Sequence, residues 1–164
     1  MSNEHTWITG GDYGLAGINH RALRNAIGNR PLNFVGLVIG SGTLSAVDYD
    51  AFDFTIGGRA YEQGAGTDEA LTVLDYPDGT NVQAVSTTCF YIVVVNASGV
   101  EYTIKGRDDE TTDLPGIPDG YCPIGLIEIT TDATHTFTIG TTGFDAAGIT
   151  DTFYDYCVMP VTAP

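Results

Sequence analysis

At 164 residues the chain fits one domain with room for a buried core. Charged residues are only 16% and glycine fills 21 positions, which points to short strands joined by tight turns rather than long helices. Twenty-one acidic residues against six Lys and Arg give a net charge of -15, which repels nucleic acid and anionic membranes and excludes both as partners of the body.

The charge is uneven along the chain. Up to Pro31 there are two acids, Glu4 and Asp12, against Arg21, Arg24 and Arg30, a net of +1, so the remainder carries -16. Residues 1–31 therefore read as an N-terminal arm with a short helix, and residues 32–164 as a separate β-domain. Met1–Gly17 is polar and Gly-rich, with Trp7 and Ile8 as its aromatic and apolar anchors. Such a stretch orders only against something else. Ile18–Gly28 is the sole helix candidate: Asn19 serves as N-cap, Leu23 and Ile27 fall on one face, and Gly28 ends it. No apolar leader follows Met1–Thr6, and no run approaches a membrane span, so the expectation is synthesis in a cytoplasm.

From Leu32 the periodicity shortens. Asn33–Ile39 is a strand candidate, and Phe52, Phe54 and Ile56 alternate with Asp53 and Thr55 as a strand with one wet face. Leu71–Tyr76 and Asn81–Ser86 flank Pro77-Asp78-Gly79, which predicts a hairpin. The most hydrophobic run, Phe90–Val95, is followed by Asn96-Ala97-Ser98-Gly99 and Val100–Lys105, a second hairpin whose first arm is too apolar to leave a face in water. Pro115 and Pro118 make Leu114–Gly120 a stiff crossing before the strand Tyr121–Ile129. Thr134–Ile139, Gly140–Gly148 and Asp151–Val161 complete nine or ten strands. The fold class is mainly β, an antiparallel β-sandwich or jelly-roll-like barrel with a short N-terminal helix.

Chemistry-bearing patterns are sparse. The chain holds no phosphate-binding loop, nucleophile elbow or zinc-protease helix. Asp48, Asp50 and Asp53 are the nearest approach to a cation site, yet the glycine and terminal glutamate of a calcium loop are missing. Asp108, Asp109, Glu110 and Asp113 read as a solvated loop tip. Cys89, Cys122 and Cys157 lack zinc-ligand spacing and read as buried thiols, with a Cys122–Cys157 disulfide left open. Asn96-Ala97-Ser98 matches a glycosylation sequon that the hairpin turn explains better. No cofactor or metal is expected, and a hydrolase lacks any nucleophile–base pair.

Over Phe90–Pro160 the chain resembles the accessory head proteins of tailed bacteriophages, of the decoration, cement or head-fibre kind. The resemblance rests on Tyr91–Val95 with Asn96–Gly99, on Leu114-Pro115-x-Ile117-Pro118-x-Gly120, and on Pro123-Ile124-Gly125-Leu126-Ile127. Gly140-Thr141-Thr142, Ala146–Thr150 and Asp155 ahead of Met159-Pro160 continue it. It implies a non-enzymatic virion protein, commonly a homotrimer, on the capsid exterior and bound to the major capsid protein. Within that expectation Trp7, Ile8, Arg21, Arg24 and Arg30 are the candidate capsid-docking residues. The rival reading is a carbohydrate-binding β-sandwich of a phage fibre, in which Tyr49, Phe52, Tyr61 and Tyr76 beside nearby acids would meet a host-surface glycan.

Overall fold

The computed structural model describes residues 28–41, 44–75, 79–109 and 114–155. They are mainly β. The first six strands are β1 (Arg30–Pro31), β2 (Val38–Ile39), β3 (Ala46–Tyr49), β4 (Phe52–Ile56), β5 (Arg59–Gln63) and β6 (Gly66–Ala70). Then come β7 (Val73–Asp75), β8 (Val82–Gln83), β9 (Thr88–Asn96), β10 (Glu101–Lys105), β11 (Tyr121–Thr131), β12 (Phe137–Thr138) and β13 (Ile149–Asp155). They form a five-stranded sheet in the order β13-β11-β9-β10-β7, two three-stranded sheets, β1-β4-β5 and β2-β3-β6, and the pair β12-β8. The helix expected over Asn19–Ile27 lies outside the described residues.

The predicted hairpin of β9 and β10 is present in register Val95↔Glu101 through Tyr91↔Lys105. Its turn is closed by Asn96: its side-chain oxygen accepts the Ser98 and Val100 N–H groups at 2.8 and 3.1 Å. Gly99 takes the left-handed conformation, φ 77°, that a side chain resists. On its other side β9 pairs with β11, whose register slips between Pro123 and Gly125, where the proline cannot donate to the ladder.

Because successive side chains alternate, β9 feeds two cores. Cys89, Tyr91, Val93 and Val95 join Cys122, Ile124, Ile127 and Ile129 of β11 in the larger one. Val35, Leu37, Val47, Tyr49, Phe52, Phe54, Leu71, Phe137, Ile139 and Phe144 lie over that face. Ile92 and Val94 face the opposite way with Ile104, and partly buried Leu74, Tyr102, Ile117, Tyr121 and Leu126 pack there. Ile117 comes from the proline-stiffened crossing, so that connection covers the second face.

Three expectations are corrected. The strands around Pro77-Asp78-Gly79 do not form a hairpin: β7 pairs with β10 in parallel, whereas β8 pairs with β12. The apolar residues Val73 and Leu74 gain more by extending the central sheet than by pairing locally. Gly140–Gly148 forms turns rather than a strand and contributes Phe144 to the core. Only Val38–Ile39 of the expected strand Asn33–Ile39 is extended and paired, since Gly36 sits at φ 69°.

Ile127 lies on β11 between β9 and β13, fully buried. Its truncation to Ala removes three carbons from a site that cannot collapse, and should cost about 2–5 kcal/mol in urea unfolding. Thr152→Ala, on the wet face of β13, should stay within about 0.5 kcal/mol of the parent.

Candidate docking surface

Residues 29–40 are fixed by side chains that replace missing strand partners. Asn29 accepts the Gly57 N–H at 2.7 Å and donates to the Tyr121 carbonyl at 2.9 Å. Asn33 accepts the Asp53 N–H at 2.7 Å. One carboxylate oxygen of Asp155 accepts the N–H groups of Val35 at 3.1 Å and Gly36 at 2.7 Å. A side chain at position 36 would also run into Asp50, 2.7 Å from the place of a Cβ. So held, Val35 and Leu37 enter the core, where Leu37 seats against Gly125.

The remaining apolar side chains of this segment turn outward. Leu32, Phe34, Val38, Ile39 and Leu44 are 49%, 54%, 51%, 39% and 45% exposed. They are five of the ten large apolar side chains exposed among the described residues, all within residues 32–44. Residues 31–47 also contain no charged side chain, in a chain of net charge -15. Exposed apolar side chains gathered in one segment make it the candidate interaction surface. The sequence signal that could have found it was the uncharged run itself, since apolar content alone read as a strand.

Of the expected docking residues, Arg30 is exposed on β1, opposite Thr55 of β4. Trp7, Ile8, Arg21 and Arg24 lie outside the described residues. The aromatic residues of the glycan reading are not brought together on the surface. Tyr49 and Phe52 are core residues, 5% and 2% exposed, Tyr61 stacks on Phe54, and Tyr76 lies outside the described residues. Tyr49 instead donates to Glu101, and Gln63 donates to both at 3.0 and 2.8 Å.

The carboxylate clusters serve the backbone. Asp48 accepts the Asp68 N–H at 2.7 Å, and among the described residues no three His, Cys, Asp or Glu side chains converge as metal ligands. Asp108, expected in a solvated tip, reaches the fully buried ammonium of Lys105 at 2.6 Å and accepts the Ala84 N–H at 2.8 Å. Asp109 accepts the Thr88 N–H at 3.1 Å. Glu110 and Asp113 lie outside the described residues. The exposed Asp132 is held well below the usual carboxylate range, first by the Thr134 N–H and then by His135. The chain matches no protein-family model, no curated protein sequence and no solved structure.

Cys89 and Cys122 are buried thiols, and Cys157 lies outside the described residues. Burial pushes the Cys122 thiol from 9.0 up to about 12. Burial likewise raises the phenols of Tyr91 and Tyr49, the latter helped by Glu101. All three groups are neutral when protonated, so above about pH 9 the unfolded chain ionises first and the folded state loses ground. Stability contributed by these groups should be complete below pH 9 and fall as pH rises towards 12, read as a declining urea midpoint. At pH 8 a thiol reagent should label Cys89 and Cys122 only after denaturation.

Proposed function

We propose that this protein is a structural component of a tailed-phage virion that decorates and cements the outer surface of the capsid. The observation that carries the reading is the uncharged, apolar strip at residues 32–44, which follows directly on a segment holding half of the chain's positive charge. The resemblance over Phe90–Pro160 supplies the class of particle. The body is read as an antiparallel β-sandwich of jelly-roll-like type, with the five-stranded sheet as one layer and the smaller sheets as the other.

In this reading the strip supplies apolar area while Trp7, Ile8, Arg21, Arg24 and Arg30 engage the major capsid protein. The arginines would pair with shell carboxylates and so steer an acidic body into register. A cement protein binds the assembled shell and not its separated subunits, so it stabilises the shell by the difference in affinity. A homotrimer would engage several such contacts together, and weak contacts multiply into tight attachment.

Co-sedimentation with expanded, undecorated shells tests the proposal. Deletion of residues 1–17, and Arg21→Glu with Arg24→Glu, should each leave a folded protein that no longer pellets with shells. Phe34→Ser with Ile39→Ser removes apolar contact worth about 1–3 kcal/mol, and should weaken binding roughly 10- to 100-fold. Added salt should weaken binding of the parent protein. Undiminished binding by all of these folded variants would overturn the proposal.

A further inference from the structure

The second face of the central sheet is covered over only part of its length. Three strands carry it in aligned rows, because β9, β11 and β13 are in continuous register there. Ile92, Leu126 and Tyr154 form one row, and Phe90, Glu128 and Thr152 the next. Thr88, Thr130 and Thr150 form the last. Ile117 of the crossing packs on the cluster that holds Ile92 and Leu126, the first of them buried and the second half-buried. Away from that cover, exposure rises towards β13. Thr88, Phe90 and Glu128 are half-buried, whereas Thr130, Thr150, Thr152 and Tyr154 are exposed.

The open part of this face has a chemistry of its own. Phe90 and Tyr154 are its aromatic rings, set about 12 Å apart by two strand spacings and one two-residue step. Glu128 stands between them on the middle strand and is the only charged side chain of these rows. The Tyr154 hydroxyl donates to Glu128 Oε2 at 2.9 Å, which fixes the ring beside the carboxylate. Glu128 Oε1 has no hydrogen bond among the described residues. Thr130, Thr150 and Thr152 add hydroxyls around it, and that of Thr130 is paired with Thr88 at 2.9 Å.

These groups select among ligands. No Lys or Arg lies in the three rows, in a chain of net charge -15, so an anion is repelled. A single carboxylate falls short of the several oxygens that a calcium ion needs. A protein interface centres on an apolar, desolvated core, and exposed apolar side chains gather at residues 32–44 instead. A neutral sugar matches what remains. Its C–H face stacks on the negative face of an aromatic ring, while its hydroxyls donate to a carboxylate and exchange hydrogen bonds with threonines.

We infer that this face binds a neutral oligosaccharide, with Tyr154 and Phe90 as stacking surfaces and Glu128 Oε1 as the acceptor between them. None of these rings is among those expected from the sequence, Tyr49, Phe52, Tyr61 and Tyr76. Val35 and Leu37 pack on the other face of the sheet, so the sugar site lies across the sheet from the apolar strip. A copy docked through the strip keeps this site free. Copies held side by side would grip a branched or repeating glycan more tightly than one copy does.

The test uses the isolated full-length chain, no shell, and an array of neutral oligosaccharides with sialylated and sulfated ones beside them. Binding should appear on neutral glycans and not on the charged ones. Titration with the best neutral oligosaccharide should saturate and should shift the amide NMR signals of Thr152 and Tyr154. Tyr154→Ala should weaken this binding roughly tenfold or more, and Tyr154→Phe, which keeps the ring, only about two- to threefold. Glu128→Gln should weaken it roughly tenfold through loss of the charged acceptor. Val100→Ser, an exposed position on the β9–β10 turn, should bind as the parent does. Silence on all neutral glycans, equal binding to the charged ones, or full binding by Tyr154→Ala with parental circular dichroism would overturn the inference. None of these outcomes depends on whether the protein binds a capsid.

Discussion

The two-sided burial of β9 is the constraint on which the rest of this structure depends. A strand with no wet face must be paired on both edges and covered on both faces. Its edges are taken by β10 and β11. One face requires the whole N-terminal half, which brings Val35, Val47, Phe52 and Phe54 over Tyr91 and Val93. Among the described residues, the other is covered by Ile117 of the proline-stiffened crossing, with Leu74 and Tyr102 packed beside it. The larger requirement explains why residues 29–70 form small sheets of their own instead of extending the central one.

Much of this was legible in the sequence where the signal was local. The hairpin of β9 and β10 announced itself through an unbroken β-branched run ending in Asn-Ala-Ser-Gly. Alternation at Phe52, Phe54 and Ile56 gave the wet and dry faces of β4 correctly. Non-local pairing was not legible. Pro77-Asp78-Gly79 has the composition of a hairpin turn, yet β7 joins β10 in parallel because the edge of a distant sheet offers Val73 and Leu74 better burial. Nor does composition distinguish Lys105, fully buried beside Asp108, from the solvated lysine that its charge suggests.

The outward strip was hidden for a related reason. Leu32, Phe34, Val35, Leu37, Val38 and Ile39 are alike in hydropathy, and only two of them enter the core. What separates them is the left-handed turn at Gly36 and the Asp155 carboxylate that secures it, neither of which leaves a periodic trace. Surface and core were thus sorted by backbone geometry instead of by side-chain type. The same acidic composition that excludes nucleic acid makes an uncharged stretch conspicuous, so the informative contrast was charge against its absence.

The bond from Asp155 to Val35 and Gly36 spans 120 and 119 residues of sequence. It has a consequence for synthesis. A ribosome adding about 5–20 residues per second needs roughly 6–24 s to travel from residue 35 to residue 155. Until then the carboxylate that secures the turn at Gly36 does not exist, and neither does the edge partner of β11. The exposed apolar strip therefore acquires its final shape only after residue 155 has been made. A nascent chain that has not yet reached residue 155 does not present that surface in finished form to any other molecule.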